Sequence, residues 1–455
     1  MTSVIDIGIG ALVDELPSDL VITDPDITAS YARDQSRFTS WSVPAVVLAP
    51  RSTAEASLCL TAAHRHSVPV VIRGAGSGLS GGANGASGAV MVSTHRLKTI
   101  VDIDAEARLA TVQAGVVTAD LRAAAGAVGL HYPPDPGSVE MCTIGGNIAT
   151  NAGGMCCVKY GVTRDYVAAL TVVLADGTIM RTGHTTRKGV VGYDTTGLIV
   201  GSEGSLCMVA EATVRLVPAP APPTTVLATF DALVAAGRAI VGVHRSGTPF
   251  SMVEILDGTT VRAVEHHTGM DLAGVNALLL IQYEGNMPQS AQDELAAILS
   301  ASGATDVVTS SDPQESDMLL QTRRMALPAL EGLGDWLLDD VCVPVPRIVE
   351  LIAAIEHIAD RRGLTIGVFG HAGDGNLHPT IIFDASDAEA AGAAHAAFVD
   401  ITDAALALGG TASGEHGVGR LKRPWLIREL DPADLALQRR LRAAFDPEGM
   451  LSPAG

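Results

Sequence analysis

Three glycine-rich segments in the first half of the chain constrain its fold more than any other feature. The first, VVIRGAGSGLSGGANG at 70–85, follows an apolar run and places six glycines between Gly74 and Gly85. The others are YPPDPGSVEMCTIGGNIATNAGG at 132–154 and GYDTTGLIVGSEGSLCMVAEATVRL at 192–216. Glycine accepts positive φ and lets a backbone N–H approach a phosphate closely. Three such segments in one region predict a shared ligand that is flat or anionic.

The first segment alone fits an ordinary irregular loop as well as a pyrophosphate cradle. It is not a GxGxxG that opens a clear helix with an acidic residue about 20 positions on, so the dinucleotide-binding Rossmann pattern fails. The Lys-Ser/Thr of a P-loop is missing as well.

The order of strand-like and helix-like segments predicts two domains, the first with an α/β or α+β pattern and the second α+β. Residues 44–217 alternate short β-branched runs with small-residue helical segments. LVPAPAPPTTV, at 216–226, then brings four prolines together, which is typical of an extended linker. We therefore expect domains at 1–217 and 218–425, with a tail at 426–455 that returns to the first domain.

Composition excludes several classes of function. With 50 acidic against 30 basic side chains, the chain repels nucleic acid and anionic lipid. The amino terminus lacks the pattern of a signal peptide and no apolar run is long enough to span a membrane, so a cytoplasmic location is expected. Six cysteines without CxxC spacing indicate reduced thiols rather than disulfides or a zinc ribbon.

Two segments of the second half concentrate ionisable groups. GHAGDGNLHPT, at 370–380, sets His371 and His378 on either side of a Gly-Asp-Gly-Asn turn, and GEHGVG, at 414–419, places Glu415 beside His416. Two imidazoles and a carboxylate suit Zn²⁺ or a similar divalent ion. From these residues alone, a phosphate cradle and a tight hairpin with two core histidines are the alternatives.

The ordered series RGAGSGLSGG, PPDPGS, TIGGNIATNAGG, KYG, LADG, GYDTTGL and GSEGSL resembles the FAD-binding half of the vanillyl-alcohol-oxidase type flavoproteins. The resemblance is to the D-lactate dehydrogenase and glycolate oxidase flavoprotein-subunit branch, related to D-2-hydroxyglutarate dehydrogenase, and runs from about Tyr31 to the carboxyl end. It implies a two-part FAD-binding domain plus an α+β substrate, or cap, domain.

The same resemblance assigns cofactor-binding residues. The FAD pyrophosphate would lie against 73–80, the isoalloxazine and ribityl groups along 134–138 and 143–154, and the adenine near 203–209. The assigned residues are Arg73, Gly74, Ala75, Gly76, Ser77, Gly78, Leu79, Ser80, Pro134, Asp135, Gly137, Ser138, Thr143, Gly145, Gly146, Asn147, Thr150, Asn151, Gly153, Gly154, Glu203, Gly204 and Val209. Since 74–82 contains no histidine or cysteine, non-covalent FAD is expected, with His131 and Cys156 as alternative attachment points.

The resemblance also assigns catalytic roles. It makes His371, His378 and Glu415 the ligands of a divalent metal, with zinc the expected ion, and His416 the general base. Arg323, with Arg324 as its alternative, would bind the substrate carboxylate, because guanidinium and carboxylate pair in a bidentate manner. For an isolated Arg-Arg, a solvated pair on a helix is the default interpretation.

The activity implied is FAD-dependent oxidation of a D-2-hydroxy acid to the 2-oxo acid. Leu327 and Leu338 stand where the 2-hydroxyglutarate branch has a polar residue and a lysine. A second substrate carboxylate would be buried there without a partner, which favours a monocarboxylate such as D-lactate. The alternatives are a glycolate oxidase flavoprotein subunit with an iron-sulfur partner, D-2-hydroxyglutarate dehydrogenase, a zinc hydrolase, or a non-catalytic binding module. We further expect an unspecified electron acceptor, a homodimer, and no nucleic acid or membrane span.

Overall fold

The computed structural model describes residues 4–453 and divides them into two compact units. Unit 1 holds 4–153, 162–219 and 415–453, and unit 2 holds 154–161 and 220–414. The chain therefore leaves unit 2 after residue 414, whereas the sequence placed that border near 425. The reason is that the backbone beyond 414 hydrogen-bonds to Ser80 and Glu203 of unit 1.

Unit 1 contains eleven strands within the described residues, in three sheets. They are β1 (Val21–Ile22), β2 (Val47–Leu48), β3 (Val70–Arg73), β4 (Val90–Ser93), β5 (Ile100–Asp104), β6 (Leu109–Gln113), β7 (Leu130–His131), β8 (Val167–Val173), β9 (Ile179–Gly183), β10 (Met208–Arg215) and β11 (Val217–Pro218). Its helices are α1 (Val4–Glu15), α2 (Pro25–Ala29), α3 (Thr53–Arg65), α4 (Thr118–Gly126), α5 (Ile144–Thr150), α7 (Thr163–Tyr166), α8 (Thr195–Ile199), α16 (Arg423–Glu429) and α17 (Pro432–Phe445), with a 3-10 turn at Ser18–Leu20.

The three sheets of unit 1 differ in strand direction. The order β1-β2-β4-β3 is parallel except for β1, and the order β5-β6-β10-β8-β9 is antiparallel throughout. β11 pairs with β7 in a third, two-stranded sheet. Beside β3, Leu451 of the carboxyl-terminal tail forms a parallel bridge to Val70. The tail thus extends the parallel sheet at the strand that leads into the first glycine segment.

Unit 2 is built on one eight-stranded antiparallel sheet. Its strands are β12 (Pro223–Phe230), β13 (Met252–Asp257), β14 (Ala277–Glu284), β15 (Ala304–Ser310), β16 (Asp335–Leu338), β17 (Val341–Cys342), β18 (Thr365–His371) and β19 (Asn376–Phe383). Its helices are α6 (Cys157–Tyr160), α9 (Leu233–Ser246), α10 (Gly258–Thr268), α11 (Gln289–Ser302), α12 (Pro313–Arg324), α13 (Ala326–Glu331), α14 (Ile348–Arg362) and α15 (Ala388–Ala407), with a 3-10 turn at Val345–Arg347.

The strand order of this sheet is β15-β12-β14-β13-β18-β19-β16, and β17 also pairs with β19. Every residue of β13 is buried, as expected for a strand in the middle of a covered sheet. The helices begin and end at ordinary signals: Asp257 and Asp312 cap α10 and α12 through their carboxylates, and Gly269 ends α10 in the left-handed conformation.

Along residues 4–453, no helix combines the length and the apolar character that crossing a bilayer requires.

Candidate functional site

The first glycine segment, here called the glycine loop (residues 74–85), is shaped by the arginine before it. The buried guanidinium of Arg73 donates to the carbonyl oxygens of Ala83, at 3.1 Å, and Arg33, at 3.0 Å. It passes so close to Gly76 that a Cβ there would lie 2.1 Å from Arg73 Nη2, and Gly76 has a φ of 74°. Burial lowers the pKa of Arg73. The side chain of Arg73 therefore holds the loop together.

The glycine loop packs on the second glycine segment. A Cβ on Gly74 would lie 2.8 Å from Thr143 Oγ1, and the same hydroxyl accepts a hydrogen bond from Gly146 N at the start of α5. The third segment joins them, because Glu203 N donates to Ala149 O at 2.8 Å. The three segments that the sequence singled out thus meet in unit 1.

Two glycines of these segments border open space. A Cβ on Gly137 would meet no atom within 4 Å, and one on Gly82 would meet its nearest atom only at 3.9 Å. Protein packing does not require glycine at these two positions, so the absence of a side chain leaves room for a neighbour that is not part of the chain. Backbone amides of a glycine-rich loop are groups that bind pyrophosphate, and the residues of the glycine loop fit FAD. The first amides of α5 are already paired, since Gly145 N donates to Ala114 O and Gly146 N to Thr143 Oγ1.

The GEHG segment is anchored to the glycine loop through its backbone. Ser80 Oγ donates to Gly417 O at 2.8 Å, and Ser80 O accepts from Arg420 N at 2.8 Å. The Glu203 carboxylate accepts from Val418 N at 2.6 Å and Gly419 N at 2.9 Å.

Burial raises the pKa of Glu203, and the two N–H donors oppose that rise. The side chains of Glu415 and His416 lie at the start of this segment, with Oε1 and Nε2 3.7 Å apart. Both residues thus belong to unit 1.

The two histidines of the second motif meet in unit 2, on a hairpin formed by β18 and β19 that we call the histidine hairpin (residues 370–378). The centroids of the two rings are 5.0 Å apart and the ring planes meet at 84°. One ring nitrogen of His371 lies within 4.8 Å of one ring nitrogen of His378. The turn requires glycine at Gly375, where φ is 88° and a Cβ would lie 2.0 Å from Val343 O. Gly373 N donates to Val253 O at 3.0 Å, which ties the turn to β13.

A closed ring of five buried side chains includes both histidines. Glu254, on β13, is the direct cross-strand neighbour of His371. Its carboxylate accepts from His371 Nδ1, at 2.8 and 3.0 Å, and from Arg323 Nε, at 2.5 Å. The Arg323 guanidinium stacks 4.8 Å above the Phe369 ring, whose centroid is 5.4 Å from that of His378. The members are Glu254, Arg323, Phe369, His371 and His378.

A second buried carboxylate stands beside His378. Asp340 Oδ1 is 3.6 Å from His378 Nδ1 and accepts from Asn376 Nδ2 at 2.8 Å. Asp340 Oδ2 accepts from Ser413 Oγ at 2.9 Å. Gly414, the next residue, packs so closely on Asn376 that a Cβ would lie 2.2 Å from its Nδ2. The stretch that leads to Glu415 is therefore held beside His378 by residues of unit 2 itself.

The structure thus sorts the sequence-predicted residues by unit. His371, His378 and Arg323 come together in unit 2, whereas Glu415, His416 and every assigned cofactor-binding residue except Gly154 belong to unit 1. Sequence reasoning missed Glu254, Phe369 and Asp340. The available signal was an acidic residue inside an apolar strand, MVEILD. The donor set in unit 2, two buried imidazoles backed by carboxylates, fits a divalent metal.

Comparison with known proteins gives a consistent result. Residues 44–183 match the model of an FAD binding domain, and 219–454 match that of the FAD linked oxidases, C-terminal domain. The chain is 41% identical over 416 residues to the glycolate oxidase subunit GlcD of Bacillus subtilis, covering 90% of this chain and 88% of that protein. It is 36% identical over 414 residues to the D-lactate dehydrogenase of Archaeoglobus fulgidus, covering 90% of each.

Solved structures agree on the fold. A p-cresol methylhydroxylase with substrate bound superposes with a TM-score of 0.80 at 14% identity, covering 100% of this chain and 98% of that one. An alkyldihydroxyacetonephosphate synthase superposes with a TM-score of 0.73 at 19% identity, covering 99% and 86%. The predicted α+β fold, an FAD-binding domain followed by a second domain, is confirmed.

Proposed function

The chain belongs to the FAD-linked oxidases of the vanillyl-alcohol-oxidase type, and from this premise we propose that it oxidises a D-2-hydroxy acid to the 2-oxo acid. The observation that carries the proposal is the buried ring in unit 2, where an arginine and a histidine are held by one carboxylate beside a second histidine. Glu254 pairs with the Arg323 guanidinium through Nε only. The other edge of this buried, oriented guanidinium, beside two imidazoles, therefore supports binding of an anionic substrate.

Arg323 is the residue proposed to bind the substrate carboxylate. Its Nε donates to Glu254, and among the residues that the structure describes its Nη atoms make no hydrogen bond. Two parallel N–H groups of a guanidinium match the two oxygens of a carboxylate. Arg324, the sequence alternative, is exposed and pairs with Asp317 at 2.9 Å, which supports Arg323.

His371 and His378 are the proposed metal ligands of unit 2, with Glu415 as the third ligand that the sequence motif supplies. Histidines that bind metals usually donate through the other ring nitrogen to a carboxylate. His371 Nδ1 has such a contact with Glu254. Zinc is the ion that best matches two imidazoles and one carboxylate.

His416 is the proposed base. Bound FAD supplies the hydride acceptor, and a bound divalent ion supplies the charge that lowers the pKa of the substrate hydroxyl. His416 takes the hydroxyl proton as the substrate Cα gives up its hydride, so the 2-hydroxy acid leaves as a 2-oxo acid. Ser80 and Glu203 hold the backbone of 416–419, which fixes the base on the unit that carries the glycine loop.

The substrate side chain is proposed to be small. Leu338 is buried on β16 and Leu327 is half-buried. Neither can satisfy a second carboxylate, and burying a charge without a partner is strongly unfavourable. D-Lactate is therefore favoured over D-2-hydroxyglutarate. Glycolate is the second candidate, because the B. subtilis relative at 41% identity is a glycolate oxidase subunit.

Anaerobic reduction of the bound flavin tests this function. Purified protein is mixed with D-lactate, L-lactate, glycolate or D-2-hydroxyglutarate, and the visible flavin absorbance is followed. We expect D-lactate to bleach the flavin fastest and L-lactate to leave it oxidised. Faster bleaching by glycolate would select the second candidate. A protein that retains no flavin after incubation with FAD and removal of the excess, or that no 2-hydroxy acid reduces, would refute the proposal.

A further inference from the structure

One carboxylate in unit 2 contacts two groups with different proposed roles. Glu254 is fully buried and lies opposite His371 in the pairing of β13 with β18. Both of its oxygens are within 3.0 Å of His371 Nδ1, and Oε2 also accepts from Arg323 Nε at 2.5 Å. The two partners come from separate elements, the end of β18 and the end of α12. Glu254 is therefore the side chain that joins them.

We infer that Glu254 is a positioning residue that couples metal binding at His371 to binding of the substrate carboxylate at Arg323. The inference rests on the proposed function. It adds a third group, in contact with neither the metal nor the substrate, on which both depend.

The argument toward the metal comes from the tautomer of His371. A carboxylate can only accept a hydrogen bond, so its contact with Nδ1 requires the proton to be on Nδ1. The Nε2 lone pair then becomes the one that coordinates an ion, and the negative charge behind the ring strengthens that nitrogen as a ligand. Without the carboxylate, the orientation of the His371 ring and the position of its proton would no longer be fixed.

The argument toward the substrate comes from the plane of the guanidinium. Nε is held by Glu254, and the face of the guanidinium rests on the Phe369 ring at 4.8 Å. These two contacts determine both the direction and the plane of the group, so its two Nη atoms have one orientation. The opposite charge of Glu254 also stabilises a guanidinium whose residue is only 7% exposed. A substrate carboxylate would thus find the fork already positioned.

The test compares wild-type protein with Glu254→Gln and Glu254→Asp. Glutamine keeps the volume but turns one acceptor into a donor, which cannot accept from Arg323 or His371. We expect Glu254→Gln to weaken zinc affinity, measured by competition with a fluorescent chelator, by about 10- to 100-fold. KM for D-lactate should rise at least about tenfold while the FAD content stays that of wild type. Glu254→Asp, which keeps the charge, should recover part of both losses.

Asp257→Asn provides the matched control. Asp257 is the other buried acid of β13, and it caps α10 through Thr260 N at 2.8 Å. Asparagine caps helices about as well as aspartate does, so the fold should be kept, and zinc affinity and KM should stay at the wild-type values.

Each outcome separates the inference from the proposed function. If Glu254→Gln lowers the midpoint of thermal unfolding while zinc affinity and KM stay unchanged, Glu254 is merely structural and the inference is wrong. If zinc affinity falls without a change in KM, the coupling to Arg323 is refuted. Wild-type protein that binds no zinc and is reduced by no 2-hydroxy acid overturns the proposed function, and the inference with it.

Discussion

The glycine loop of unit 1 and the histidine hairpin of unit 2 differ in which groups are proposed to bind a ligand. In the loop these are backbone groups, and in the hairpin they are side chains. In the loop, six glycines leave the backbone without side chains, and the buried side chain of Arg73 donates to carbonyl oxygens. In the hairpin, the pairing of β18 with β19 reaches Phe369 and His378, and the side chains of His371 and His378 converge beyond it. A cofactor with a constant shape can be bound by backbone, whereas proton and metal chemistry requires side chains with buried partners.

The largest effect that sharpens this comparison is expected at His416. Its backbone is held by the glycine loop through Ser80, yet its proposed role is carried by the side chain. His416→Ala should slow flavin reduction by D-lactate by about 10²- to 10⁴-fold, because a general base contributes that much. FAD content should not change. His357→Ala, at an exposed histidine of α14, is the control, and a near wild-type rate in His416→Ala would rule out this base.

The next largest effect is expected on FAD binding, from a substitution in the glycine loop. Gly76→Ala places a Cβ 2.1 Å from Arg73 Nη2, whereas Gly129→Ala, at the same φ of 74°, meets no atom within 4 Å. Both variants carry the left-handed strain of about 1–2 kcal/mol. Only Gly76→Ala should weaken FAD binding, by more than about tenfold, as measured by flavin release on dilution. Equal loss of FAD in the two variants would contradict a loop shaped by Arg73.

The smallest effect concerns Glu203, which links the third glycine segment to 418–419. Burial raises its pKa above the ordinary value of 4.5, so the folded state binds its proton more tightly than the unfolded state does. This contribution to stability is present at low pH and is lost as pH rises through the folded-state pKa.

Glu203→Gln cannot ionise, so its free energy of unfolding should fall less than that of wild type as pH rises from the ordinary value of 4.5. If folding makes Glu203 bind its proton ten times more tightly, this fall in the free energy of unfolding should be about 1.4 kcal/mol larger in wild type than in Glu203→Gln. Each further factor of ten should add the same amount. Denaturant unfolding at a series of pH values measures this difference. Parallel stability curves for the two proteins would show that Glu203 does not titrate in this range.

The comparison also explains what the sequence could predict. The glycine segments and the two histidines are local patterns, so their positions followed from short stretches of sequence. The α+β class of the whole chain followed from the family resemblance that the ordered segments carry. Glu254 and Asp340 could not be found in this way, because strand register and loop pairing bring them to His371 and His378 from far along the chain. The border at 414/415 was missed for the same reason, since it depends on hydrogen bonds between 417–421 and Ser80.

The most direct test of this account separates the two regions by removing the metal alone. Wild-type protein is stripped with a chelator, its metal and FAD contents are measured, and anaerobic flavin reduction by D-lactate is followed before and after zinc is returned. The account predicts full retention of FAD, a fall in the reduction rate of at least about a hundredfold, and recovery with zinc. A metal-free protein whose flavin is reduced at the wild-type rate would contradict it.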